Sequence, residues 1–292
     1  MDERREPMAD VDIVAEGLGF VEGPVWLGED RLGLVSMSRG SVLILDRVGN
    51  IVDEYVTGGG PNGLAVGRDG ALYVAQNGGL WAAESEAEPG VLVIRDNSVE
   101  YLAEGMGAPN DLLFGPDGRL WVTDSREAVD YENPESALPG RVWAIDPASG
   151  AAELVVEGPI FVNGIGFSAD GNRLHLTETV FAHVTTYEVC DGRVDPLGIL
   201  HTLRNAHPDG MAIDDLDRLW IATTSGDRVD VVDPAGDLVE SYGLPPGSMP
   251  TNVCFGGPRG DEVYVTAAKA GALVRLRAHT SERGKRSTTS AQ

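Results

Sequence analysis

Lysine is nearly missing from this 292-residue chain: Lys269 and Lys285 are the only two. Covalent catalysis through a lysine amine therefore has almost no material to work with. Cysteine is equally scarce, with Cys190 and Cys254 far apart in strand-like surroundings. Two such residues are expected to be buried thiols in a reducing compartment, a disulfide between them being the alternative. Five histidines without His/Cys clustering exclude a structural zinc site. No apolar run approaches the 18 or so residues that a membrane helix needs. No apolar segment follows the acidic and basic first residues, so no secretory signal is expected and the chain reads as cytoplasmic. Helical periodicity is missing from every stretch of ten residues, which leaves no helix to carry a phosphate-binding loop. No serine stands in a Gly-x-Ser-x-Gly context, so a serine triad has no support. Basic charge is in deficit too, 22 residues against 46 acidic ones, for a net charge of −24. That balance argues against nucleic acid and anionic membrane as partners. It agrees with a cation as ligand, and equally with plain solubility.

What is present is a repeated phrase: a small polar opener, a short apolar strand, a turn and a second strand. It reads Glu22-Gly23-Pro24-Val25-Trp26, Asn62-Gly63-Leu64-Ala65-Val66, Asn110-Asp111-Leu112-Leu113-Phe114, Asn163-Gly164-Ile165-Gly166-Phe167, Asp209-Gly210-Met211-Ala212-Ile213 and Thr251-Asn252-Val253-Cys254-Phe255. Successive openers lie 40, 48, 53, 46 and 42 residues apart. A period of that size with strands inside it signals a circular or stacked array. The 38 glycines and 17 prolines suit many short strands joined by tight turns. Arg68-Asp69-Gly70, Pro116-Asp117-Gly118 and Ala169-Asp170-Gly171 are hairpin turns of this kind, Gly taking the positive φ and Asp bonding locally.

Four strands per repeat of about 46 residues predict an all-β fold, a six-bladed β-propeller with four antiparallel strands per blade. The sixth repeat offers three strands, and the spare strand around residues 11–16 would complete it, closing the ring and covering an edge. One domain over residues 11–278 is expected, with a flexible stretch at 1–10 and a Ser/Thr-rich disordered tail at 279–292.

In a propeller the innermost strands line the axis, so all six openers converge on one end of it. The loops between second and third strands emerge on the same face. Those of blades two and three are long and carry Trp81, Arg126 and Tyr131, which with Phe181 are expected to shape a small-molecule pocket. Glu22, Asn163 and Asp209 offer two carboxylates and an amide oxygen from separate blades, and Asn110 and Asn62 add further amide oxygens. Such an all-oxygen set suits one divalent ion, Ca²⁺ foremost, with Mg²⁺, Mn²⁺ or Zn²⁺ as alternatives. Asn-Gly and Asp-Gly are also ordinary turn formers, and on that reading the openers would be architecture alone. Glu22 speaks against it, because Glu-Gly-Pro is not a favoured turn and two acids near one axis repel unless a cation or proton lies between them. His207, His175 and His183 are expected in surface or structural roles.

These phrases, together with Pro109-Asn110-Asp111, Pro208-Asp209-Gly210-Met211 and Pro250-Thr251-Asn252-Val253, resemble the gluconolactonase/regucalcin (senescence marker protein) family of six-bladed propellers. The resemblance spans nearly the whole chain. It implies a divalent metal held at Glu22, Asn163 and Asp209, Asn110 beside the metal and touching substrate, and lactone hydrolysis with Asp209 as general base. Family relatives include organophosphate hydrolases of the diisopropyl fluorophosphatase type, and a non-catalytic calcium- or partner-binding propeller is the third alternative. In the animal branch an Arg stands two residues before the substrate-contacting Asn; here that position is Ala108, a pattern closer to bacterial gluconolactonases.

Overall fold

The computed structural model describes residues 10–277. Asp10 already belongs to a strand. Residues 1–9 of the expected flexible stretch, and the tail 279–292, lie outside the described residues. Six separate four-stranded antiparallel sheets follow one another around the ring, five of them simple meanders and the sixth completed by the first strand of the chain. In blade four, for example, Val162–Phe167, Arg173–Glu178, His183–Cys190 and Arg193–Thr202 run from the inside outward. A single 3₁₀ turn, Pro134–Ser136, is the only helical element among the described residues. The three Asp-Gly turns form as expected: Asp69, Asp117 and Asp170 accept from backbone N–H groups two residues on, and each following Gly has φ between +73° and +81°.

Ring closure takes the expected form. Pro250–Gly256, Glu262–Ala267 and Ala272–Arg277 make three strands of blade six, and Asp10–Ala15 pairs outside the last, Asp10 opposite Arg277. The carboxylate of Asp12 fastens the seam, taking hydrogen bonds from Arg275 (2.8 Å) and Arg277 (2.6 and 2.8 Å). Those guanidinium contacts hold its pKa down at about 2.

Strand alternation places the core between blades rather than at the centre. Six apolar clusters form, one at each junction of consecutive blades. Leu64, Leu72, Val74 and Leu92 of blade two pack on Val35, Val42 and Ile44 of blade one, for instance. Val253, Val263, Val265 and Val274 of blade six pack on Trp220, Val229 and Val231 of blade five. Each such fully buried aliphatic side chain contributes about 1.5–3 kcal/mol, so the ring is held by its wedges. The axis is left open, faced by the free edges of the inner strands, which each occupy one end of their sheet.

Cys254 is buried on the inner strand of blade six, as expected for a core thiol, but Cys190 is exposed. It ends the third strand of blade four, next to the Asp191-Gly192 turn, where the hairpin projects beyond the wedge that would have covered it. His175 has the expected structural role. It is buried against Thr186 Oγ1 at 2.8 Å, and burial pushes its pKa down to about 4.

Candidate functional site

The openers are not turns. Each lies inside or at the start of an inner strand, and each inner strand carries a bulge at that point. In blade three Pro109 stands opposite Asp124 and Leu112 opposite Val122, so three steps on one strand match two on the other. The same extra residue occurs in the other five blades. A bulge bends its strand and re-aims the side chains beside it, and here it does so six times around one axis. All six openers are buried, from 1% exposure at Thr251 to 7% at Asp209.

The residue after the opener explains the glycines. A Cβ on Gly23 would come within 2.7 Å of the Asn62 carbonyl, and one on Gly164 within 2.5 Å of the Asp209 carbonyl. Glycine there lets neighbouring inner strands touch backbone to backbone. Two threonines from second strands then lock that contact. Thr177 Oγ1 accepts from Gly164 N–H and donates to the Asp209 carbonyl, both at 2.7 Å. Thr123 Oγ1 likewise accepts from Asp111 N–H (2.9 Å) and donates to the Asn163 carbonyl (2.6 Å). Both threonines are fully buried. The backbone of Asn163 and of Asp209 is thus fixed by the blade before it.

At two blades the glycine position is polar instead: Asp111 in blade three and Asn252 in blade six. These blades face each other across the axis, and Asn252 Nδ2 donates to Asp111 Oδ2 at 3.3 Å. The pair forms a second layer beneath the openers. Sequence reading passed over both residues, although the break in the opener-glycine pattern was visible at each. Below the pair, a cavity of about 480 Å³ runs down the axis between the lower halves of the inner strands. Asp111 and Asn252 are the only carboxylate and amide side chains among its described lining residues, the rest being mostly apolar.

The electrostatics of the ring are those of crowded acids. Glu22 is held well above the usual carboxylate range, by burial first and by the charge of Asp209 second. Asp209 is pushed up to about 8 by burial, with a hydrogen bond from Asn163 working the other way. Asp111 rises to about 6, again through burial. Glu22, Asn163 and Asp209, drawn from blades one, four and five, therefore meet at one place. No basic side chain pairs with Glu22, Asp111 or Asp209 among the described residues. Among those residues, too, no three His, Cys, Asp or Glu side chains are grouped to hold a metal. A cation at the mouth would thus depend on the amide oxygens of the ring beside its two carboxylates. Two buried acids without a counter-charge, flanked by amides, fit a hard divalent cation by the chemistry of the donors.

Above the openers the loops contribute aromatic rings. Trp81 packs on Phe161 (5.5 Å between centroids), Phe161 on the edge of Tyr131 (6.2 Å), and Tyr131 on the edge of His207 (5.5 Å). Tyr131 stays 54% exposed, and partial desolvation with the charge of Asp209 pushes its phenol up to about 12. Of the residues expected on the substrate side, Trp81 and Tyr131 are in this arc. Arg126 is turned to the Pro139 carbonyl (3.1 Å) and to Glu157 (3.7 Å). Phe181 stacks on His183, which in turn is paired with Glu178 at 2.9 Å. His207 is not a free loop residue: its Nδ1 meets the Thr179 carbonyl at 2.9 Å. Phe161 was missed from sequence, where an aromatic before Val162 looks like ordinary core.

Comparison with known proteins follows the same lines. Residues 20–269 match the model of the SMP-30/Gluconolactonase/LRE-like region. A gluconolactonase of Zymomonas mobilis is 25% identical over 92% of this chain and 82% of its own length. Regucalcin of Xenopus laevis is 34% identical over 88% of this chain and 85% of its own. Among solved structures, a gluconolactonase from Xanthomonas campestris superposes with a TM-score of 0.76 at 21% identity, covering 92% of this chain and 89% of that one.

Proposed function

This chain belongs to the SMP-30/Gluconolactonase/LRE-like family, and on that premise we propose that it is a divalent-metal-dependent hydrolase that opens a small lactone. The observation that carries the reading is the buried pair Glu22 and Asp209, two acids of raised pKa with no basic partner among the described residues. The gluconolactonase and regucalcin relatives agree with it.

Glu22, Asn163 and Asp209 would hold the ion, Ca²⁺ foremost, with Asn110 and Asn62 on the open side toward substrate. Bound there, it would polarise the lactone carbonyl and offset the charge that develops on its oxygen. The residues themselves do the rest. Asn110, buried and next in the ring, orients the lactone. Asp209 takes a proton from the attacking water as the water oxygen bonds to the carbonyl carbon. The ring C–O bond then breaks, and the departing oxygen receives that proton, leaving a hydroxy acid. A carboxylate beside the attacking water can take the proton and return it to the departing oxygen. Tyr131 and Trp81 cover the substrate from above and limit the access of bulk water.

Purified protein assayed on lactones, with and without chelator, tests this. Turnover that needs a divalent ion and falls by at least about a hundredfold in Glu22→Gln and Asp209→Asn, with circular dichroism unchanged, is the expected result. Full activity in both variants would overturn the site. Turnover of organophosphates but not lactones would move the chemistry to phosphorus, and ion binding without turnover of either would leave a calcium-binding propeller.

A further inference from the structure

Resting on the lactone-hydrolase reading, we infer that the substrate is an uncharged lactone carrying an apolar, planar or branched substituent, held by the arc Trp81–Phe161–Tyr131–His207, rather than a polyhydroxylated or phosphorylated sugar lactone.

Four observations point there. The arc is continuous, ring on ring, from the blade-two loop to the connection into blade five. It is also one-sided. Two residues before the opener, blades two and three have Gly60 and Ala108, while blades four and five have Phe161 and His207. Ring-bearing residues thus stand two positions before Asn163 and Asp209, and both rings meet Tyr131.

Phe161 is held there against its backbone preference. Its φ is +51°, a left-handed conformation that bulky residues rarely adopt. Such a conformation costs about 1–3 kcal/mol and persists only where the surroundings enforce it. The Phe161 carbonyl is in fact caught by Thr179 N–H at 3.3 Å.

Polar capacity in the arc is small. His207 Nδ1–H is spent on the Thr179 carbonyl, so the polar side-chain atoms left to the arc are His207 Nε2, the Tyr131 hydroxyl and the Trp81 indole N–H. A polyol laid against Phe161 and Trp81 would lose hydration of its hydroxyls without replacing it. Arg126, the guanidinium expected at the site, is committed to Pro139 and Glu157. The arc therefore offers a phosphate no free guanidinium or ammonium partner.

The test compares kcat/KM for γ-phenyl-γ-butyrolactone, glucono-1,5-lactone and 6-phosphoglucono-1,5-lactone on the metal-loaded protein. The phenyl lactone should lead by at least about tenfold, the discrimination an apolar pocket commonly supplies. Trp81→Ala and the milder Phe161→Leu should each shrink that lead mainly through KM, while their melting temperatures report any loss of fold. Equal or faster turnover of either sugar lactone overturns the substrate class and leaves the lactonase reading intact. If no lactone is turned over, the lactonase reading fails, and saturation-transfer NMR still decides the arc. Transfer to the phenyl protons that is lost in Phe161→Leu upholds it, and no transfer overturns it.

Discussion

Asn252 and Asp111 join hands across the propeller axis, amide nitrogen to carboxylate oxygen at 3.3 Å, from blades that never touch along their walls. They occupy the two places in the ring where the residue after the opener is not glycine. The carboxylate also accepts from Leu112 N–H at 2.9 Å, so burial is partly compensated by donors. Asn252 serves a second acid as well, since its amide also hydrogen-bonds Glu22 and lowers that group's pKa against burial.

Replacing Asn252 by Leu should therefore destabilise the fold by about 1–3 kcal/mol, the penalty for a buried charged acceptor left short of a donor. Asp111→Asn in the same background should recover part of the loss, because the uncharged amide is cheaper to bury. Urea unfolding of the two single variants and the double variant checks this. Strictly additive effects would show that the two residues do not share an interaction.

The raised acids give the metal-free protein an unusual pH profile. Asp209 titrates near 8 when folded and near 3.8 when unfolded, and Glu22 shifts in the same direction. Between those values the folded state holds more protons than the unfolded one, so stability falls as pH rises. Asp111, at about 6 in the fold, adds slightly in the same direction, while His175, at about 4 in the fold and 6.5 unfolded, opposes it weakly and only near pH 6.5. The chelated protein should thus melt at progressively lower temperature from pH 6.5 to 8, and saturating Ca²⁺ should remove that slope. A melting temperature that is flat or rises over this range without metal would contradict the crowding of Glu22 and Asp209.

Thr177 ties the backbone of Asp209 to blade four. Thr177→Val keeps the shape but leaves the Gly164 N–H and the Asp209 carbonyl without their shared hydroxyl. Weaker Ca²⁺ binding by roughly tenfold is expected, together with a stability loss of about 1–3 kcal/mol. Thr177→Ser, which retains the hydroxyl, should restore the affinity. Titration calorimetry of the three proteins measures it, and an unchanged affinity in Thr177→Val would show that the latch does not position the carboxylate.

Much of this protein was legible before any coordinates. Periodic openers, Asp-Gly turns and a spare first strand were enough for six blades and their closure, because those signals are local and repeat. Convergence of Glu22, Asn163 and Asp209 followed from topology alone, since inner strands in a closed ring have nowhere else to meet. The exposure of Cys190 did not follow, because strand periodicity does not say how far a hairpin projects. Nor did the contacts of Arg126 with the Pro139 carbonyl and Glu157.

The amino-acid sequence by itself determined the number of blades, the order of the ring and which residues face its mouth, through repetition and two-residue alternation. Tertiary structure alone decided what those residues do to one another. Whether Asn-Gly is a turn or a bulged strand, whether Asp111 finds Asn252 some 141 positions away, and whether Phe161 meets Tyr131 all depend on distances across the ring. Such distances are set by how the apolar wedges pack between blades, and no segment of the chain contains a wedge on its own.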